Sequence, residues 1–268
     1  MRLSTDTELS ARCDRLRSLH RPGAPVLLPN AWDAATARAV VAAGFPVVAT
    51  TSAGVAAALG HEDHERAPAD EMFAAAARIA RAVDVPVTVD AEGGYGLPPA
   101  ELVDMLRSAG AAGCNLEDTD NATGSVRDAN EHAEWLRAVR EAADADGYPL
   151  VINARVDVFF APVLAGAGAD VLAELVPEAV RRADAYSEAG ADCVYPIGLW
   201  DTDALRRLLS QVSVPVNVVR LPQAPSPAEL AALGVARISW GPFLHWNAMA
   251  RFGEELASLS APPAGSTR

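Results

Sequence analysis

The chain has 268 residues, half of them hydrophobic and 21% charged, enough apolar surface for a large α/β core and too much for general disorder. A formal charge of −13 argues against nucleic acid or an anionic membrane surface as partner, and 6% aromatics leaves little for base stacking. All 22 basic residues are arginines, and with no lysine a Schiff base, a pyridoxal phosphate anchor and a P-loop lysine are excluded.

In chain order, the N-terminus is polar and mixed in charge and carries no secretory signal. Val26-Leu27-Leu28-Pro29 reads as a first buried strand. Residues 39–60 run uncharged for about the length of a bilayer span, yet Gly44, Pro46 and Thr50-Thr51-Ser52 break them into a helix end, a strand and a loop. A cytoplasmic protein is expected. Four later strands follow a small-residue helix end and a glycine: Gly44 before Val47, Gly110 before Gly113, Gly190 before Cys193 and Gly234 before Arg237. Such a glycine fits a left-handed helix cap. Three interleaved strands open with Pro86, Pro149 and Pro215, where a missing N–H falls outside the ladder.

Between the strands lie alanine-rich amphipathic helices, expected near residues 70–83, 100–108, 127–143 and 172–189. Eight apolar strands alternating with helices predict an α/β fold, a (β/α)8 TIM barrel. An open doubly wound sheet is the alternative, but no G-x-G-x-x-G follows the first strand. No linker is visible, so residues 1–268 read as one domain, with a core at about 24–258 and a frayed tail after Ser258. Cys13, Cys114 and Cys193 are an odd set without metal spacing, and the last two read as core.

A barrel of this kind carries its chemistry at the C-terminal strand ends. Here those ends are Asn30-Ala31-Trp32-Asp33, Thr50-Thr51-Ser52-Ala53-Gly54, Asp90-Ala91-Glu92-Gly93-Gly94-Tyr95-Gly96, Asn115-Leu116-Glu117-Asp118 and Asn153-Ala154-Arg155-Val156-Asp157, with Asn217 on the seventh strand. Asp90 and Glu92, two apart on one strand, point the same way, and with Glu117 they form an acidic cluster that needs a cation. Oxygen ligands without His or Cys suit Mg²⁺ or Mn²⁺. Capping or arginine pairing is the alternative for these acids. Arg155 suits a substrate carboxylate or phosphonate; its alternative is a salt bridge to Asp157 or Glu117. His61-Glu62-Asp63-His64-Glu65 lacks zincin spacing and reads as a solvated loop with one functional acid. Residues 118–124 read as a polar lid or a plain turn. Without lysine, the electron sink for bond cleavage beside a 2-oxo group has to be a metal.

These motifs, in this order, resemble the isocitrate lyase/phosphoenolpyruvate mutase superfamily over residues 27–249. The resemblance implies a TIM barrel, commonly a homotetramer with the last helix exchanged between subunits. It also implies Mg²⁺-dependent making or breaking of C–C or P–C bonds in small 2-oxo or 2-hydroxy acids through a metal-held enolate. Carried over, Asp90, Glu92 and Glu117 match the metal-site acids, and Asp63 the acid on the loop after the second strand. Arg155 matches the arginine that holds the substrate anion. Thr51, Ser52 and Ala53 match the turn whose N–H groups bind the substrate carboxylate, Asn217 matches a substrate-contacting residue, and Trp32 lies in the first motif. Catalytic roles fall to Asp63, Glu117 and Arg155. Isocitrate and methylisocitrate lyases carry Lys-x-Cys-Gly-His on the loop after the fourth strand, and the mutase uses a lysine there; residues 118–127 have no Lys, Cys or His. The expected reaction is therefore C–C cleavage in a small di- or tricarboxylic acid, foremost oxaloacetate-type decarboxylation. A phosphonopyruvate hydrolase or mutase, and a barrel that binds a small acid without turnover, are the alternatives. Residues 242–259, with Phe243, Leu244, Trp246, Met249 and Phe252, are apolar enough to pack against a neighbour.

Overall fold

The computed structural model describes residues 6–260. The chain opens with α1 (Asp6–Ser18), then β1 (Val26–Leu28) and β2 (Asn30–Ala31), two halves of one barrel strand divided at Pro29. α2 (Ala34–Ala42), β3 (Val48–Thr50), α3 (Ser52–Leu59) and α4 (Ala69–Ala80) follow. Next come β4 (Val87–Asp90), α5 (Pro99–Ala109), β5 (Gly113–Glu117), a hairpin of β6 (Thr119–Asp120) and β7 (Ser125–Val126), and α6 (Ala129–Ala145). β8 (Val151–Val156), α7 (Phe160–Leu164), α8 (Ala169–Glu188), β9 (Cys193–Pro196) and α9 (Thr202–Leu209) lead to β10 (Asn217–Val219), α10 (Pro227–Leu233), β11 (Arg237–Ser239) and α11 (Phe243–Ser260). The expected frayed tail starts as helix, since α11 runs through Ser258 to Ser260; the remainder lies outside the described residues.

The strands close into a ring. β2, β3, β4, β5, β8 and β9 pair in parallel in that order, and β1, β11 and β10 in theirs. A parallel bridge from Val194 to Val216 joins β9 to β10. The other seam closes at Pro29, where the first strand changes partner: Val26–Leu28 pairs with β11 and Asn30–Ala31 with β3. Asn30 stitches that seam, donating Nδ2 to the Thr50 carbonyl at 2.7 Å and accepting at Oδ1 from Trp240 and Gly241 N–H at 2.8 and 2.9 Å. A (β/α)8 barrel follows.

The punctuation behaves as its chemistry requires. Gly44, Gly110, Gly190 and Gly234 take φ of 90°, 77°, 99° and 99°, the left-handed turn out of each helix. Pro86 and Pro215 give their carbonyls to Val48 and Val194 N–H while lacking a donor of their own. Leu102, Val103, Leu106 and Ala109 of α5, and Leu136, Val139 and Ala143 of α6, recur at three and four and bury one face on the sheet. α1 was not expected from its mixed charge; Leu9, Cys13 and Leu16 suffice to bury it. Cys114 and Cys193 are core, as expected. α11 is the exception to burial: Trp246, Met249, Phe252, Leu256 and Leu259 are exposed, the last at 73%. Among the described residues no helix is long and apolar enough to cross a membrane.

A buried ion cluster ties β5 to α8. Fully buried Asp118 accepts from Arg182 Nη1 at 2.9 Å and Tyr186 OH at 2.6 Å on one oxygen, and from the Asp157 N–H at 2.8 Å on the other. Burial and the Asp157 charge push the Asp118 carboxyl up to about 6, against Tyr186 and Arg182. Beside it, His132 packs its ring on Tyr186 and Trp135 and leaves both nitrogens without a partner. Burial, then Arg127 and Arg182, bring its pKa down to about 3. Asp118→Ala leaves Arg182 Nη1, Tyr186 OH and the Asp157 amide without their buried carboxylate and should cost about 3–5 kcal/mol in urea denaturation. His132 stays neutral in the fold while the unfolded imidazole takes a proton near pH 6.5, so stability falls as pH drops from 6.5 toward 3. His132→Leu should flatten that part of the stability–pH curve, and an unchanged acid slope would show that His132 does not produce it.

Candidate active site

The C-terminal strand ends gather most of the expected residues, each placed by its local fold. Thr51 is the N-cap of α3 in extended conformation with no side-chain cap bond, so Ser52 and Ala53 stand at the first turn of that helix. Their amides are not all free. Ser52 N–H donates to Asp90 Oδ2 at 3.1 Å, and Asp90 N–H donates to Thr50 Oγ1 at 2.8 Å, which locks the end of β4 beside the start of α3. Trp32 sits edge-on to His245 of α11 with ring centroids 5.0 Å apart. Their Cβ atoms lie 3.1 and 3.4 Å from where a Cβ on Gly54 would be, in the first turn of α3.

Glu92 departs from expectation. β4 ends at Asp90, and Glu92 lies in the following turn with φ of +48°, so the alternation argument that put both acids on one strand face does not reach it. Its carboxylate accepts from Tyr95 OH and from the Glu65 N–H, each at 2.6 Å. The turn needs Gly94 at φ +88°, where a Cβ would come within 2.7 Å of the Trp135 ring. Glu117 ends β5, and its N–H is bound by the Glu92 carbonyl at 2.9 Å. Its Oε1 accepts from Asn121 Nδ2 at 2.7 Å, and its Oε2 lies 2.5 Å from Arg155 Nη1.

Arg155 is held on two sides. Asp157 receives Nε at 2.6 Å and Nη2 at 3.0 Å, and Glu117 takes Nη1. The salt-bridge alternative for this arginine is thus what the structure contains. Thr119 OH donates to Asp157 at 2.5 Å, and Asp118 binds the Asp157 amide, so the buried cluster under α8 fixes the residue that aims the arginine. Residues 118–127 form the antiparallel β6–β7 hairpin, tied down by Asn121 and Thr119.

The electrostatics are lopsided. Burial raises Asp90 above the usual carboxylate range, with Arg155 and the Ser52 amide opposing and Asp63 adding. Burial pushes Glu92 up to about 7, opposed by Tyr95 OH and reinforced by Asp90 and Asp63. Burial also pushes Glu117 up to about 8, opposed by Arg155 and reinforced by Asp157. Burial works against the charge on Arg155, but Asp157 and Glu117 hold it protonated. Asp63, on the loop between α3 and α4, keeps a buried Oδ1 with no hydrogen-bond partner. Glu117, Asp157 and Asp90 gather on Arg155, and the buried guanidinium of Arg237 also lies in the field of Asp90.

That donor set fits a hard divalent cation by chemistry: carboxylate oxygens, uncompensated charge and an orphaned buried Oδ1. It is looser than a direct cage, because among the described residues no three acids, histidines or cysteines stand together as a ready metal site. A cation that keeps several of its waters suits such spacing. Asn217 is not brought to these acids: it is fully buried, with its amide turned to Ser239 at 3.4 Å. Tyr95, Glu65, Asn121, Asp118 and Asp157 were missed as site residues. Asp118 and Asp157 were visible at strand ends, whereas the part played by Glu65 depends on a contact across two loops.

The comparisons place the chain among known relatives. The family model described as phosphoenolpyruvate phosphomutase matches residues 16–260. A solved structure of a provisionally identified phosphonomutase from Burkholderia cenocepacia J2315 is 44% identical, with a TM-score of 0.86 over 92% of this chain and 99% of that one. The 2-methylisocitrate lyase of Escherichia coli K12 is 29% identical over 90% of this chain and 85% of its own. The oxaloacetate decarboxylase of Pseudomonas entomophila is 30% identical over 82% and 74%. Matched by sequence from α1 to the last helix and by fold around the whole ring, the chain belongs to the phosphoenolpyruvate phosphomutase family, within the isocitrate lyase/phosphoenolpyruvate mutase superfamily of lyases and mutases.

Proposed function

We propose that the protein is a Mg²⁺-dependent carbon–carbon lyase that cleaves a small 2-oxo or 2-hydroxy di- or tricarboxylic acid, with oxaloacetate-type decarboxylation as its leading reaction. The observation that carries this reading is the gathering of Asp90, Glu92, Glu117 and Asp157 at the mouth, with Arg155 already engaged by Glu117 and Asp157 and with Asp63 Oδ1 left unpartnered. Mn²⁺ is the other ion that such oxygen donors accept. A bound divalent cation supplies the Lewis acidity that takes up the electron pair released beside the 2-oxo group.

The chain's own residues do the rest. Asp90, Glu92 and Glu117, with Asp63 nearby, are the residues that would hold the cation. The amides of Ser52 and Ala53, at the positive end of α3, would receive the substrate carboxylate in place of the bond that Ser52 N–H now gives Asp90. Arg155, oriented by Asp157, presents the guanidinium to the substrate's anionic oxygens. Trp32 and His245 close one side and exclude water.

P–C chemistry on phosphonopyruvate is the second reading, favoured by the 44% identical phosphonomutase structure. The exposed apolar stripe of α11 packs, in this proposal, on another copy of the chain in a homotetramer, and light scattering of the intact protein reads the stoichiometry. Incubation with Mg²⁺ and a panel of 2-oxo acids, substituted malic acids and phosphonopyruvate, followed by mass spectrometry, tests the activity. Oxaloacetate should give pyruvate and CO₂, EDTA should abolish turnover, and Asp90→Ala should lower it at least about 100-fold with the fold intact. Turnover that survives exhaustive chelation would sink the proposal.

A further inference from the structure

Four non-glycine residues among those described adopt left-handed backbone, and all four lie at this mouth: His64 at φ 65°, Glu65 at 56°, Glu92 at 48° and Tyr95 at 56°. Such conformations persist only where the surroundings over-determine them. Here the two turns determine each other. Glu65 N–H donates to Glu92 Oε2 at 2.6 Å, and Tyr95 N–H donates to Glu65 Oε1 at 2.6 Å. Tyr95 OH closes the ring on Glu92 Oε1 at 2.6 Å, while its own ring is set edge-on against Phe73 at 5.8 Å. Gly93 leaves room for the exchange, since a Cβ there would stand 3.1 Å from Glu65 Oε1. Each turn thus supplies the carboxylate that satisfies the other's backbone amide, as a side chain satisfies the first amides of a helix.

Asp63 is two residues from Glu65 on the same loop, and no side-chain hydrogen bond holds its Oδ1. The reciprocal clasp is therefore what sets its distance from Asp90 and Glu92. We propose that Glu65 is the positioning residue of this site: its carboxylate, by capping the Tyr95 amide while its own amide caps Glu92, fixes Asp63 and Glu92 in one pose. Glu65 acts through Asp63 and Glu92 and does not itself touch substrate. The inference rests on the reading above only in assigning those two acids to catalysis.

Glu65→Ala and Glu65→Gln test it, since the glutamine retains an oxygen that can accept the Tyr95 amide and the alanine does not. In hydrogen exchange, the Tyr95 amide should exchange at least about tenfold faster in E65A than in wild type, with the barrel strands unaffected and E65Q close to wild type. On the acid that the wild type turns over, E65A should lose roughly 10- to 100-fold in kcat with KM within about threefold, and E65Q should recover most of it. An unchanged Tyr95 amide in E65A, an unchanged kcat, or an E65Q as impaired as E65A would each overturn the proposal. If the wild type turns over none of the acids, the lyase reading fails, and the Tyr95 amide alone decides the role of Glu65.

Discussion

Like charges crowded into a low-dielectric mouth are the constraint around which this protein is arranged. Asp90, Glu92 and Glu117 lie at or just beyond neighbouring strand ends, and all three are pushed toward their protonated forms, chiefly by burial. A barrel has no cheaper place for them, because its inner layers are filled with side chains and only the strand ends open to solvent. Arg155 relieves part of the repulsion, and its fork is already engaged by Asp157 and Glu117. What remains are acids that burial keeps shifted toward their protonated forms.

The scaffold spends much of its polar chemistry on keeping that site in shape. From α8, Arg182 and Tyr186 hold Asp118, which holds the backbone of Asp157, which holds Arg155. Each link is buried, so each is strong and each is costly to break. On the other side of the mouth, the turns after β4 and α3 are kept in left-handed conformations by carboxylates that bind amides. The strand ends supply the acids; the loops and the helix behind them supply the aim.

Family membership sets the type of chemistry, and the chain's own departures shape it. Where isocitrate-cleaving relatives place a lysine, cysteine and histidine, this chain has a short hairpin whose Asn121 reaches back to Glu117. The hairpin, pinned at Thr119 and Asn121, carries no lysine, cysteine or histidine. His245, contributed by α11, packs edge-on against Trp32, a contact absent from the sequence reading.

The eight-fold repeat was legible in the residues alone, since alternating glycine caps and strand-opening prolines report local backbone rules that no tertiary contact overrides. So was the convergence of Asp90, Glu117 and Arg155, because in a parallel barrel successive strand ends are neighbours by construction. Periodicity failed at Glu92, where the strand had already ended, and at α1, whose few buried residues are masked by charge. The partner that each acid takes was open too: Arg155 could have been free or paired, and Glu65 looked like one charge in a solvated loop. Sequence by itself determined the barrel, its family and the acids at its rim, because these follow from short-range pattern. Only the tertiary structure decided which carboxylate binds which amide or guanidinium, because those bonds join loops far apart in the chain, and only the closed ring sets their distances.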